Sequence, residues 1–199
     1  MNIYIDFDGT ILNISSLTND FINLFPNIDT NYIKRLIKEY KNYYIVTEHL
    51  IKEYNLNQEY INKIHNLFKK NYVYQDAITF LEKYYQKYNL ILLTYSHSFE
   101  YQTMKIKSTK IEKYFKEIII TDKDKSTLDN IDYKNSIFID NNPNELEKLY
   151  NNNIFNIVRI NHSNDSYNKE KTPNNIKEYQ DFIELINNNY IEKTGENYE

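Results

Sequence analysis

The residues best able to do chemistry stand together near the start of the chain, at Asp6-Phe7-Asp8-Gly9-Thr10. They close a run of β-branched and aromatic residues, Asn2–Phe7, that reads as a buried strand. Residues two apart in a strand point the same way, so Asp6 and Asp8 leave its C-terminal end toward one side. Open α/β sheets bind ligands outside those ends. Two adjacent carboxylates repel and stay ionised together only beside a cation. Magnesium, a hard ion that takes oxygen ligands, is the expected partner. Gly9 is one of two glycines in the chain, and it marks a turn that a side chain would obstruct. The plainer alternative is an ordinary turn capped by Asp8.

Three further strand-like runs end in groups that such a site needs. Leu90–Tyr95 delivers Thr94 and Tyr95, followed by Ser96, offering a hydroxyl and backbone donors to a phosphate; Thr94 or Ser96 also suits a helix cap. After Glu117–Thr121 come Lys123 and Lys125, either of which can neutralise phosphate as a point charge. In so lysine-rich a chain, a solvated loop lysine is the competing reading. Ser136–Asp140 places Asp140 at a fourth tip, as a further metal ligand or as a turn residue. Asn142, Pro143 and Glu145 fit the N-cap, first-turn proline and capping box of a helix, so Glu145 is divided between capping and metal. Carboxylate pair, hydroxyl, lysine and carboxylate at successive tips form a phosphoryl-transfer constellation.

The elements that must position these groups follow from pattern. A fifth strand is expected at Ile154–Ile160, with helices at Ala77–Tyr88, Phe99–Ser108, Asn144–Tyr150 and Ile176–Ile191. Strands alternating with helices predict an α/β fold, a Rossmann-like parallel sheet of about five strands. The stretch Asn13–Val73 has no strand pattern. Its helical runs at Thr18–Phe25, Asn31–Lys41, Tyr44–Tyr54 and Gln58–Lys69, joined by short breaks, predict a small α-helical insertion. The expected division is a catalytic core of 1–12 and 74–192, an insertion of 13–73, and a frayed tail of 193–199. The loop Asn161–Asn175 reads as a solvated connection, and its His162 has no second histidine nearby to make a metal site.

Composition narrows the function. The 24 Lys+Arg against 28 Asp+Glu leave a net charge of −4 with no basic cluster, which argues against a nucleic-acid partner. The absence of cysteine excludes disulfides, thiolate metal sites and a cysteine nucleophile. No signal peptide opens the chain and no apolar run approaches a membrane span, so a cytoplasmic protein without a membrane partner is expected. No glycine-rich loop follows any strand, which sets aside dinucleotide binding. Asn, Ile, Lys and Tyr make up over half the chain, all with A/T-rich codons, a bias read as genomic.

With these motifs in hand, the sequence resembles the phosphatase branch of the haloacid dehalogenase superfamily. Ile3-Tyr4-Ile5-Asp6-Phe7-Asp8-Gly9-Thr10 matches the first family motif in full, and Leu92-Leu93-Thr94 matches the second. Lys125, with Lys123 as alternate, matches the third; Asp140 and Glu145 stand for the fourth. Many members carry a second acid where this chain has Asn141. The resemblance covers about Met1–Ile160 and implies a sheet ordered five-four-one-two-three with a cap after the first motif. It also implies roles. Asp6 would attack phosphorus, and Asp8 would serve as acid and then base. Asp6, the Asp8 main-chain carbonyl and Asp140 would hold magnesium, and Thr94 and Lys125 would bind the phosphoryl oxygens.

The expected function is magnesium-dependent hydrolysis of a small phosphate monoester. A phosphotransferase or mutase, and a non-catalytic phosphate-binding module, are the alternatives. Tyr43, Tyr44, His49 and His65 in the helical insertion are candidate substrate contacts that packing explains equally well, and His97 is the histidine expected nearest the site.

Overall fold

A computed structural model describes residues 1–195. Its sheet is six-stranded and wholly parallel, in the order β3-β2-β1-β4-β5-β6. The strands are β1 (Asn2–Ile5), β2 (Asn89–Tyr95), β3 (Glu117–Thr121), β4 (Ser136–Asp140), β5 (Ile157–Ile160) and β6 (Lys177–Tyr179). The α/β, Rossmann-like fold is as expected, and its first five strands take the order that the resemblance implies.

The period of two sorts the core. Ile3 and Ile5 of β1 join one buried cluster with Leu90, Leu92, Ile137 and Ile139. Tyr4 points to the other face, with Ile91, Leu93 and Phe138, and stacks on Phe138 at 4.8 Å between ring centroids. The first face is covered by α5 (Gln75–Tyr84), α6 (Phe99–Thr109), α8 (Phe182–Asn187) and α9 (Tyr190–Gly195), and the second by α7 (Pro143–Asn151).

Four helices fill the stretch between β1 and α5: α1 (Ile14–Asn23), α2 (Thr30–Tyr40), α3 (Tyr43–Tyr54) and α4 (Glu59–Leu67). The chain leaves and re-enters the sheet side by side. Asn13 N–H donates to the Tyr72 carbonyl at 2.8 Å, and Tyr74 N–H donates to the Ile11 carbonyl at 2.9 Å. That pairing fixes both ends of the helical segment against the loop that carries Asp8.

The C-terminal third departs from expectation in three ways. Ile176–Ile191 is not one helix. Lys177–Tyr179 pairs with Val158–Ile160 as a sixth strand, Asp181 caps α8, and Asn189 at φ 52° separates α8 from α9. The apparent helical period fails because Phe182 and Leu185 are buried while Ile183 is exposed. Second, Lys193–Gly195 belongs to α9, so the expected frayed tail does not begin at 193; residues 196–199 lie outside the described residues.

Third, the loop 161–175, a solvated connection as expected along most of its length, is also stitched to the sheet through its main chain. Arg159 of β5, fully buried, donates to the carbonyls of Asn141, Tyr167 and Glu170, the Thr172 hydroxyl and the Glu178 carboxylate. A buried guanidinium must find acceptors for its donors, and this one draws the loop against the tip of β4. His162 stacks on Tyr74 at 3.7 Å and lies 3.0 Å from Asp76 Oδ2.

Asp76 ties that loop to the core, also accepting from Phe182 N–H at 2.9 Å. Burial works against its charge, but His162 and Phe182 outweigh it and hold its pKa below the ordinary 3.8. A depressed carboxylate stabilises the fold above its unfolded pKa and loses that contribution as pH falls through the folded one. Asp76→Asn is therefore expected to cost about 1–2 kcal/mol at pH 7 after solvent screening. The difference should shrink below about pH 4, as denaturant titrations at pH 7 and pH 3 would show.

Candidate active site

The site begins where β1 runs out. Asp6 N–H still donates to the Ile139 carbonyl at 2.9 Å, keeping the strand paired to its last residue. The Phe7 carbonyl then accepts from Ile11 N–H at 3.0 Å and Leu12 N–H at 2.9 Å, winding 7–12 into a tight loop. Gly9 sits in it at φ +91°. A Cβ there would overlap the Asn141 amide nitrogen and lie 2.6 Å from Asp165 Oδ2. Gly9→Ala is expected to cost on the order of 3 kcal/mol from backbone strain and overpacking. It should also abolish turnover by displacing Asp8, which a thermal melt and an activity assay would check together.

Lys125 brings three strand tips together. It stands in a short 3₁₀ turn, Lys125–Thr127, after β3, with the Asp124 side chain accepting from Ser126 N–H. Its Nζ lies 2.6 Å from Asp6 Oδ1 and 2.7 Å from Asp140 Oδ2. Burial works against the lysine's charge, but Asp140 and Asp6 outweigh it and raise its pKa above the usual value. Burial pushes the Asp6 carboxyl up to about 7, with Lys125 opposing the shift and Asp140 adding to it. The second oxygen of Asp140 accepts from Asn142 N–H at 2.9 Å, which aims the carboxylate.

Asp8 is held from another side. Its two oxygens lie 2.7 and 2.6 Å from Lys105 Nζ, and Gln102 Nε2 donates to it at 2.9 Å. The same Gln102 nitrogen lies 2.9 Å from the Thr94 hydroxyl, which it engages as donor. Neither α6 residue was singled out from the sequence. Their signal is a three-residue spacing on the helix after the second tip, invisible among so many lysines until the helix is docked.

Asp6, Asp8, Thr94, Tyr95, Lys125, Asp140 and Glu145 all line one cleft of about 450 Å³. Glu145 faces Lys148 at 2.6 Å, while Asn142 caps α7 through Asn144 N–H. Lys123 lines a different surface hollow, so geometry favours Lys125 of the two lysines. A second cavity of about 500 Å³ opens between Tyr40–Asn42 of the helical segment and Ser96–Ser98 after β2. Asp8 and Tyr95 line both, and His97, 2.9 Å from the Tyr95 hydroxyl, lines the second. Tyr43, Tyr44, His49 and His65 line neither; Tyr43, for one, is buried against Phe21 at 4.6 Å.

Of the acidic groups expected to converge on one metal, Asp6 and Asp140 come together at Lys125, whereas the Asp8 and Glu145 carboxylates do not join them. Asp8 is turned onto Lys105 and Glu145 onto Lys148, and among the described residues no three acids or histidines are arranged as a metal shell. The reason is charge: each lysine captures the nearest carboxylate. Asp6 and Asp140 nonetheless suit a divalent cation. They are hard oxygen donors sharing a single lysine, and burial holds Asp6 near 7, a cost that a cation would relieve. The cleft lining carries six carboxylates against two lysines, an excess of negative charge that a bound cation would offset.

No family model and no curated protein matches this sequence. Solved structures do match over nearly the whole chain. A haloacid dehalogenase-like hydrolase from Burkholderia xenovorans LB400 superposes with a TM-score of 0.71 at 11% identity, covering 96% of this chain and 97% of that one. A HAD phosphatase from Thermococcus onnurineus gives 0.62 at 18% identity, over 94% and 96%. YfnB of Bacillus subtilis, described as a HAD hydrolase and bound to magnesium, gives 0.63 at 14%, over 94% and 96%. The chain thus has the fold of the haloacid dehalogenase-like hydrolases, and the resemblance read from its motifs holds at the level of the fold.

Proposed function

We propose that this protein is a magnesium-dependent phosphohydrolase of the haloacid dehalogenase-like superfamily, acting on a small phosphate monoester. One observation carries the reading. Asp6 and Asp140 share Lys125 in the cleft, while Asp8, two residues on, stands where the cleft meets the second cavity. The phosphoryl group belongs in the first space and the leaving group in the second, with the helical segment 13–73 as a cap over a core of 1–12 and 74–192.

The chemistry follows from the positions. Lys125 holds Asp6 Oδ1; the other oxygen, with the Thr10 hydroxyl 3.4 Å away, attacks phosphorus. The bond from phosphorus to the leaving oxygen breaks, and Asp8 gives that oxygen a proton. Water then attacks the aspartyl phosphate, Asp8 takes its proton, and phosphate departs. Thr94 and Lys125 bind the transferring oxygens. Asp6 and Asp140, with the Asp8 main-chain carbonyl, would hold magnesium, which supplies charge neutralisation and alignment when bound. A dehalogenase expels halide and needs no proton donor, so an aspartate at position 8 supports the phosphate reading.

The test is release of inorganic phosphate from p-nitrophenyl phosphate and a panel of phosphorylated metabolites. Turnover is expected with magnesium, lost in chelator, and poorly restored by calcium, whose looser coordination aligns the reacting oxygens badly. Full activity in chelator would sink the metal assignment, and no phosphate from any substrate would sink the reading. Product analysis with a sugar acceptor present separates hydrolysis from transfer.

A further inference from the structure

Asp6 and Asp8 are chemically identical carboxylates two residues apart on one loop, yet the proposed chemistry asks opposite things of them. Lys125 is the partner of Asp6, and Lys105 is the partner of Asp8. Lys105 is 5% exposed, and its ammonium sits among the Asp8 carboxylate, the Tyr101 ring at 5.3 Å and the Phe7 ring at 5.8 Å. Burying an ammonium is costly unless a carboxylate compensates it, and Asp8 does so with both oxygens. Gln102, 1% exposed and one turn earlier on α6, joins Asp8 to Thr94 through a single amide nitrogen.

Resting on the phosphohydrolase reading, we propose that Lys105, assisted by Gln102, is a positioning residue that keeps Asp8 for proton transfer. An Asp8 carboxylate released from Lys105 has two other attractions across the same cleft, the Lys125 ammonium and any cation at Asp6 and Asp140. Either would draw it into the cleft and away from the leaving oxygen. The pull from α6 holds it at the junction with the second cavity. Two lysines on different elements thereby divide the two aspartates into nucleophile and acid/base.

The test compares Lys105→Met, Lys105→Arg and Gln102→Leu with the wild type, all with magnesium. For p-nitrophenyl phosphate, kcat/KM reports phosphoenzyme formation with a leaving group that hardly needs a proton; for phenyl phosphate the proton matters. Lys105→Met is expected to widen the ratio of the two kcat/KM values by about 10²-fold, the usual worth of a placed acid. Lys105→Arg should restore most of it, and Gln102→Leu should shift it the same way by less. Calorimetry should show magnesium bound more tightly by Lys105→Met, because Asp8 is released toward the cation.

A merely structural lysine would lower both substrates alike and leave magnesium affinity unchanged, and that pattern overturns the proposal while the phosphohydrolase reading stands. If Lys105→Met does not fold, Gln102→Leu with an unchanged ratio overturns it equally. A wild type that hydrolyses neither ester removes the function and this inference together.

Discussion

Asp6→Asn is expected to form no phosphoenzyme, and Asp8→Asn to accumulate it. Asp6 is 8% exposed, with Lys125 on one oxygen, so the amide keeps its shape while losing the nucleophile. No burst of nitrophenol and no mass increase of one phosphoryl group should appear. Asp8→Asn keeps the main-chain carbonyl and leaves Asp6 intact. With p-nitrophenyl phosphate the first step barely needs an acid, whereas the second still needs a base to activate water, a contribution of about 10²–10⁴ in rate. Up to one equivalent of nitrophenol should be released quickly, after which turnover stalls. Rapid-quench kinetics with intact-mass analysis reads both variants. A phosphoenzyme on Asp6→Asn would refute the nucleophile assignment, and wild-type turnover by Asp8→Asn would refute the acid/base role.

Lys125→Met should lose about 10²–10³ in turnover, the usual effect of removing one preorganised transition-state partner. It should also lose about 3–5 kcal/mol of stability, because it strips the cation from between two buried carboxylates. Lys125 is the main influence holding the Asp6 pKa down against burial, so its loss pushes Asp6 further toward the neutral form. Added magnesium should recover part of the stability and little of the rate, since it relieves repulsion without replacing the ammonium beside the phosphoryl group. Lys123→Ala, altering a side chain outside the cleft, should remain near wild type. Thermal melts with and without magnesium, alongside steady-state kinetics, separate the two lysines. The reverse ranking would move the charge clamp to Lys123 and leave the two-step chemistry standing.

Much of the sheet and of the cleft lining is legible in the sequence. Glu117–Thr121 and Ser136–Asp140 are the strands the pattern predicts: β4 because a central parallel strand is buried on both faces and reads as an unbroken apolar run, and the edge strand β3 because its three consecutive isoleucines carry strong β-propensity. The C-terminal third misled because Lys177-Glu178-Tyr179 is an edge strand of three residues, too short and too charged to show a period of two. Its place in the sheet comes from pairing with β5 and from Glu178 meeting the buried Arg159. Arg159 itself gave no sign that it would gather a loop of polar residues, since its acceptors are largely main-chain carbonyls that every residue carries.

By itself the sequence determined the fold class and the residues on which the proposed chemistry rests. Asp6 closes a strand whose pattern is local, Gly9 permits the turn by lacking a Cβ, and Thr94 and Asp140 stand at the ends of apolar runs that read as strands. The strand period did not extend to Asp8, which the loop 7–12 turns toward α6. Only the tertiary structure decided which charge each carboxylate meets. Lys125 reaches Asp6 across 119 residues of chain, and Lys105 reaches Asp8 across 97. Local propensity carries no information over such separations. With lysines scattered through the whole chain, the choice among them is made by the docking of α6 and of the turn after β3. Tyr101 and Ile106 seat α6 in the core. The turn after β3 is held by Asp124 capping Ser126 N–H and by the Tyr133 hydroxyl donating to the Lys125 carbonyl. Both lysines are thus brought to the site by contacts distant in sequence from the carboxylates they meet.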